Sequence, residues 1–185
     1  RLAAIERLQL QPGETVLDVG CGTGLSLAPL LQRLGPQGRI VGIEQCPDML
    51  ARARERLTPA QRPQVRLVQA SAEAARWRGQ ADAALLHFTH DIVGHPAALD
   101  NVFAHLKPGA HVVATGLQWA PSWAVAVNAF VLGAALYSIS SLDGLDRPWG
   151  GLEERLKDFA VTPEWMGGVY IASGRSEGFR HLKHG

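Results

Sequence analysis

The stretch V-L-D-V-G-C-G-T-G-L-S at residues 16–26 decides the fold of this chain. It passes from an apolar, strand-like run through Gly20, Gly22 and Gly24 into a pattern typical of a helix. Glycines at a strand-to-helix turn allow positive φ angles and let a ligand approach the backbone closely. The helix that follows presents free N–H groups in its first turn. The stretch therefore predicts a ligand-binding turn at the carboxyl end of a strand.

Outward from this turn, short apolar or β-branched runs alternate with helical patterns. The runs predict strands at residues 15–20, 39–44, 65–70, 82–88 and 110–116. Near-continuously apolar strands separated by helices are typical of a parallel sheet covered on both faces. Two extended runs around Gly167–Gly168 predict a C-terminal antiparallel hairpin. We therefore predict an α/β fold with a seven-stranded, mostly parallel sheet that this hairpin completes.

An apolar segment lies between the fifth predicted strand and the hairpin. No Asp, Glu, Lys or Arg occurs from Pro108 to Leu142, and residues 121–139 predict a helix without a polar face. Such a helix should be buried or covered by something apolar, which fits a core helix, a homodimer interface or a lid over a hydrophobic substrate. A membrane span needs about 20 strongly apolar residues, and we expect no membrane association. We assign 117–158 as a helical insertion in a single domain, 1–185.

The composition indicates a globular chain without a polyanionic partner. The chain has 46% hydrophobic and 19% charged residues and a net charge of +1, which gives no electrostatic reason to bind nucleic acid. Cys21 and Cys46 form neither a zinc-type pair nor a disulfide framework. The first ten residues lack the apolar core of a signal peptide. A reducing, cytoplasmic location is therefore the expected default.

Two classes of nucleotide-containing cofactor compete for the glycine turn. A nicotinamide or flavin site prefers G-x-G-x-x-G, whereas this chain has G-x-G-x-G, with Leu25 where the third dinucleotide-type glycine would fall. Asp18 would repel a pyrophosphate but could hold a cationic amino group. Residues 16–24 resemble the first motif of the class I S-adenosylmethionine-dependent methyltransferases, hhD-h-G-x-G-x-G. The turn L-K-P-G-A at 106–110 is similar to the L-K-P-G-G turn of the same family.

The resemblance implies a Rossmann-like methyltransferase with S-adenosylmethionine as methyl donor and S-adenosylhomocysteine as product. It implies that Glu44 binds the ribose hydroxyls and that Gln45 and Met49 lie near the adenine. Ser71 stands where the family commonly has Asp, so we expect a weaker contact with the adenine amino group there. The predicted donor-binding residues are Asp18, Gly20, Cys21, Gly22, Gly24, Glu44, Gln45, Met49, Ser71, Ala72 and His87.

The histidine-rich stretch L-L-H-F-T-H-D-I-V-G-H-P at 85–96 follows the fourth strand, on the face where open α/β sheets bind ligands. His87 ends the strand, His90 and Asp91 lie at the pocket mouth, and His95 starts a helix in a structural or solvated role. Zinc would need three or four ligands in a closed geometry, so we predict no metal site. Methyl transfer needs a base only if the acceptor must lose a proton. In that case His90 is the preferred base, His87 the second, and Asp91 their neighbour; otherwise they line the pocket.

The substrate side is expected in the apolar insertion, because ligand pockets are mostly apolar with a few placed polar groups. Arg147 either meets an anionic substrate group or pairs with Asp143 or Asp146. The predicted reaction is methyl transfer to a small, apolar or aromatic metabolite. The alternatives are an NAD-type oxidoreductase and a non-catalytic relative that acts as a binding or dimerisation protein. The candidate substrate residues are Trp119, Trp123, Arg147 and Trp149.

Overall fold

The computed structural model describes residues 1–121, 123–138 and 147–177. Strands and helices alternate through the first half of the chain, as predicted. The strands are β1 Thr15–Val19, β2 Arg39–Glu44, β3 Val65–Gln69, β4 Ala81–His87, β5 Leu106–Leu117, β6 Leu156–Glu164 and β7 Val169–Ser176. The helices are α1 Leu2–Arg7, α2 Leu27–Leu34, α3 Pro47–Arg56, α4 His90–Val93, α5 Pro96–Ala104, α6 Val125–Ser138 and α7 Gly150–Glu153.

The strands form one seven-stranded sheet in the order β3-β2-β1-β4-β5-β7-β6. Strands β1 to β5 pair in parallel, and β7 runs antiparallel to both of its neighbours. The strand order reverses between β1 and β4, and such a switch point leaves a crevice outside the carboxyl ends of the strands. The glycine turn follows β1 and therefore lies at this crevice. The predicted fold class, including the hairpin, is confirmed.

The alternation of side chains along the strands supplies two cores. On one face, Val16, Ile40 and Leu85 pack with residues of helices α1, α2 and α3. On the other face, Leu17 and Leu86 pack with residues of α5 and α7. Because both faces are covered, the central strands are apolar at nearly every position.

The fifth strand is longer than predicted. It begins at Leu106, so the L-K-P-G-A segment that we expected as a turn before the strand lies inside it. Ala81 pairs with Leu106 and Ala83 with His111, which leaves residues 107–110 as an irregular insertion in the ladder. The turn residues thus distort the strand instead of preceding it, and Gly109 takes a φ of +79° there.

Helix α6 lies in the apolar segment, as predicted, but only one of its faces is covered by the described part of the chain. Val127 and Val131 are buried against residues that follow β5. Val125, Phe130 and Leu132 are exposed. Within the described ranges, no helix combines the length and the apolar character needed to cross a bilayer. The homodimer contact that we expected from this helix stays a prediction.

Candidate active site

The glycine turn is held to the neighbouring strand by backbone hydrogen bonds. The amides of Gly20 and Cys21 both donate to the carbonyl of Ile43, at 2.8 and 3.0 Å. Gly20, Gly22 and Gly24 have φ angles of +70°, +54° and +77°. These angles lie in the left-handed region that residues with a Cβ rarely adopt. The path of the turn therefore depends on glycine, and the turn is fixed relative to the end of β2.

The three glycines of the turn differ in their surroundings. A Cβ on Gly24 would lie 2.8 Å from Leu27 Cδ1 and 3.0 Å from Ala53 Cα, so Gly24 lets helix α3 pack closely. At Gly22, the nearest atom would be Met49 Sδ at 3.9 Å. Gly24 thus serves packing, whereas Gly22 leaves open space on the side where a ligand would lie.

Glu44 joins the end of β2 to the glycine turn. Its Oε2 accepts a hydrogen bond from the amide of Gly22 at 3.1 Å, and its Oε1 accepts one from the amide of Cys46 at 2.8 Å. Each carboxylate oxygen can accept a second bond. The carboxylate is therefore held in place with acceptor capacity left for a diol.

A cavity of ≈460 Å³ lies beside Glu44. It is lined by seven of the eleven predicted donor-binding residues: Gly20, Gly22, Glu44, Gln45, Met49, Ser71 and Ala72. The structure also brings residues to its wall that the sequence did not single out: Ile43, Ala70, Glu73, Phe88, Thr89 and Ile92. The Ser71 hydroxyl is hydrogen-bonded to the Glu73 carboxylate and lowers the pKa of Glu73. Its oxygen keeps a lone pair for an adenine amino group.

Four predicted donor-binding residues do not line this cavity. Gly24 packs on α3, and Cys21 is buried beside Gly42. Asp18 is also buried, at 1% exposure. Burial raises the pKa of Asp18 to about 7, and its Oδ2 has no hydrogen-bond partner among the described residues. A buried carboxylate oxygen without a partner is costly.

His87 is the fourth of these residues, and its ring faces a neighbouring strand. Its Nδ1 lies 2.5 Å from the Thr115 hydroxyl oxygen, and its ring contacts Phe88 edge-on with centroids 4.8 Å apart. Burial lowers the pKa of His87 to about 4. The ring is therefore neutral at neutral pH and is a weak base.

His90, the preferred base of the sequence analysis, also has a partner. Its Nε2 accepts the backbone N–H of Leu117 at 2.7 Å, and burial lowers the pKa of its ring. His90 does not line the cavity, whereas Asp91 and His95 do. The His95 Nδ1 accepts the N–H of Ala98 at 3.2 Å and caps α5, which matches its expected structural role. The geometry weighs against His90 as a base and leaves Asp91 as the predicted catalytic residue at the cavity wall.

The four candidate substrate residues do not converge. Trp119 packs on the apolar cluster beneath α6, and Trp123 is 70% exposed. Trp149 contacts the buried ring of Tyr170, with centroids 5.1 Å apart. Arg147 is paired with Glu153; its alternative partners Asp143 and Asp146 lie outside the described residues. Arg147 is therefore in a salt bridge, but with Glu153, which the sequence analysis did not name; pairing with Asp143 or Asp146 stays a prediction.

Thr89 is a cavity residue that the sequence analysis missed. It is buried, with an exposure of only 7%, and its hydroxyl has no hydrogen-bond partner in the described chain. Its methyl would lie 2.4 Å from a Cβ on Gly20. The available signal was a hydroxyl two residues beyond the end of β4. Among the described residues, no group of three or more His, Cys, Asp or Glu side chains is placed to hold a metal ion.

Comparison with known proteins places these features in context. Residues 16–109 match the model of a family described as a methyltransferase domain. The chain is 36% identical over 109 residues to a trans-aconitate 2-methyltransferase of Azoarcus sp. (strain BH72), covering 57% of this chain and 40% of that protein. It is 35% identical over 108 residues to a 2-phytyl-1,4-naphtoquinone methyltransferase of Thermosynechococcus vestitus, covering 57% and 47%. The chain thus spans less than half the length of these relatives.

The fold has relatives among solved structures. A structure described as a SAM-dependent methyltransferase from Aquifex aeolicus superimposes with a TM-score of 0.66 at 18% identity. The superposition covers 94% of this chain and 88% of that one. At this identity the likeness supports the fold alone, and it extends beyond the part of the chain that the family model matches.

Proposed function

Because this chain belongs to the class I S-adenosylmethionine-dependent methyltransferase family, we propose that it transfers a methyl group from S-adenosylmethionine to a small, apolar or aromatic metabolite. The observation that carries the proposal is Glu44. Its carboxylate is held by the amides of Gly22 and Cys46 at the wall of a ≈460 Å³ cavity beside a glycine turn.

The residues that line the cavity can each be assigned to one part of S-adenosylmethionine. Glu44 would accept hydrogen bonds from the two ribose hydroxyls. Gln45, Met49 and Ser71 would surround the adenine, since the first two line the cavity after β2 and Ser71 lines it after β3. The charged amino-acid end would lie over the open side of Gly22. Asp18, whose Oδ2 lacks a partner in the described chain, would balance its ammonium group directly or through water.

When bound, S-adenosylmethionine supplies a sulfonium methyl group that is open to in-line attack. The chain's own contribution is to hold the acceptor in line, and positioning of this kind supplies much of the acceleration in such reactions. Asp91 is exposed at the cavity wall. We propose that its carboxylate accepts a hydrogen bond from an acceptor O–H or N–H and orients the attacking atom.

The acceptor class is supported by the apolar character of the segment between β5 and β6. Trp119 and Trp149 are partly buried there, and their indole rings offer apolar contact area with one donor each. The two relatives are named for different molecules, trans-aconitate in one case and the quinone 2-phytyl-1,4-naphtoquinone in the other. The quinone fits this segment better, because its two arginines, Arg147 and Arg155, are paired with Glu153 and Asp100.

Methyl transfer can be tested with S-adenosylmethionine labelled at its methyl group. The purified chain is incubated with small hydroxylated aromatic compounds, with a total small-molecule extract, and with RNA and protein fractions. We expect label in the aromatic or extract samples, and much less label at the same low S-adenosylmethionine concentration when Glu44 is replaced by alanine. Label that appears only in RNA or protein would contradict the proposed acceptor class. No transfer to any fraction would contradict the proposed activity.

A further inference from the structure

The ring of His90 joins helix α4 to the end of strand β5. Its Nε2 lies 2.7 Å from the backbone nitrogen of Leu117, whose N–H donates to it. An imidazole nitrogen that accepts a hydrogen bond carries no proton, so the neutral ring bears its proton on Nδ1. The lone pair of Nε2 is therefore already engaged. Burial lowers the pKa of His90 and keeps the ring in this accepting form at neutral pH.

The position of the His90 ring depends on a glycine. A Cβ on Gly116 would lie 2.8 Å from His90 Nε2 and 2.9 Å from Tyr170 Cε1. Gly116 has an ordinary backbone conformation, because its φ is not in the left-handed region. Glycine is needed here for space and not for conformation. The ring is seated between the end of β5 and the fully buried Tyr170, whose centroid is 6.2 Å away.

The two ends of this link belong to different parts of the site. Asp91 and Ile92 follow His90 in α4 and line the cavity. Leu117 is the last residue of β5, and the segment that carries Trp119 begins directly after it. Helix α4 is only four residues long, so its own hydrogen bonds give it little independent stability. The His90 bond to Leu117 is a tertiary contact that ties this short helix to the sheet.

We propose that His90 is a positioning residue: by accepting the Leu117 N–H it holds the Asp91–Ile92 wall of the donor cavity against the end of β5. The identity of the cavity's ligand rests on the proposed function. His90 then acts through the wall that it holds and needs no contact with the acceptor. A base role would require the same nitrogen to be free.

His90→Gln and His90→Leu separate the accepting atom from the rest of the side chain. Glutamine can place its Oε1 near the position of Nε2 and accept the Leu117 N–H, whereas leucine fills the space without an acceptor. We expect His90→Gln to bind S-adenosylhomocysteine within about threefold of the wild type. We expect His90→Leu to bind it about tenfold more weakly. The buried Leu117 N–H is then left without a partner, and the Asp91–Ile92 wall is no longer held against the end of β5. Isothermal titration calorimetry measures both affinities.

Two matched controls distinguish positioning from loss of stability. Val102→Ala removes buried apolar volume from α5 and should lower the melting temperature while leaving the affinity for S-adenosylhomocysteine unchanged. Gly116→Ala intrudes on the His90 ring and should weaken binding, whereas Gly133→Ala adds a Cβ where no atom lies within 4 Å and should not. Hydrogen exchange of the Leu117 amide should be slow in the wild type and in His90→Gln, and fast in His90→Leu.

Equal loss of affinity in both His90 variants would mean that the imidazole itself is required, and unchanged affinity in both would mean that the link does not shape the cavity. Either result overturns the proposal, and so does fast exchange of the Leu117 amide in the wild-type chain. A wild-type chain that protects this amide but does not bind S-adenosylhomocysteine would contradict the proposed function instead. The two failures are thus distinguishable.

Discussion

The donor side of the sheet, at β1 and β2, and the acceptor side, at β5 to β7, are built from different contacts. On the donor side, backbone amides hold the functional groups: Gly20 bonds to Ile43, and Gly22 bonds to Glu44. On the acceptor side, the covered face of helix α6 packs mainly through apolar side chains, with Asn128 hydrogen-bonded to the backbone of Ala120, and Trp123 and Phe130 remain exposed. Backbone hydrogen bonds fix a geometry more narrowly than apolar contacts do. The proposed donor site is therefore held in a defined geometry by the fold itself, whereas the proposed acceptor side leaves large apolar side chains exposed.

Asp18→Asn should give the largest effect, because it removes a buried carboxylate from the donor side. The pKa of Asp18 rises from 3.8 to about 7 on folding. The folded state thus binds the proton more tightly, and wild-type stability falls as the pH rises from about 4 to 7. The cost of the ionised form amounts to about 4 kcal/mol above that window.

The measurement compares the unfolding free energies of the wild type and Asp18→Asn from pH 4 to 8 in urea. Titratable groups common to both chains cancel in this difference. The unfolding free energy of the variant should exceed that of the wild type by an amount that grows up to pH 7 and then levels off. A difference that does not depend on pH would show that Asp18 is not desolvated. The same variant should bind S-adenosylhomocysteine more weakly, as expected of a group retained for binding at the expense of stability.

Glu44→Ala should cost about 3 kcal/mol of binding, or about a hundredfold in affinity for S-adenosylhomocysteine. Hydrogen bonds to a charged acceptor contribute about 1.5–3 kcal/mol each, and two from the ribose would be lost. The matched control is Glu55→Ala, which removes an exposed carboxylate of helix α3 that does not line the cavity and should change the affinity less than about threefold. Equal losses in the two variants would indicate a general charge effect instead of a ribose contact.

Gly24→Ala tests whether the close packing of helix α3 against the glycine turn leaves room for a Cβ at residue 24. Gly24 and Gly109 both have positive φ angles, +77° and +79°. Only Gly24 is crowded, since no atom lies within 4 Å of a Cβ at Gly109. Both variants should incur a conformational cost of about 1–2 kcal/mol, and Gly24→Ala should lose about 1–3 kcal/mol more through overpacking. Chemical denaturation measures the difference, and equal stabilities would contradict the packing role of Gly24.

Arg147→Ala on the acceptor side should have the smallest effect. Arg147 and Glu153 form an ion pair whose side chains are 66% and 38% exposed, and such pairs contribute about 0–1 kcal/mol. A double-mutant cycle with Glu153→Ala should give a coupling energy in that range. A loss of methyl transfer in Arg147→Ala that Glu153→Ala does not reproduce would revive the anionic-substrate interpretation.

The sequence predicted more of the donor side than of the acceptor side, for a physical reason. The place of Glu44 followed from the end of an apolar strand, and the turn from its glycines, because both are local features. The amides that hold Glu44 and the burial of Asp18 depend on how β1 and β2 pair. The hydrogen-bond partner of His90 is 27 residues away in the sequence. The sequence therefore predicted where His90 lies along the chain, but not the contact that defines its role. For helix α6, the pattern predicted the helix but could not tell which face is covered.

The central claim is that the glycine turn and Glu44 form a site for S-adenosylmethionine, and titration with S-adenosylhomocysteine and with NAD tests it most directly. We predict that calorimetry will show one S-adenosylhomocysteine bound per chain, a large loss of affinity in Glu44→Ala, and no binding of NAD. Tight binding of NAD, with no binding of S-adenosylhomocysteine, would contradict the account.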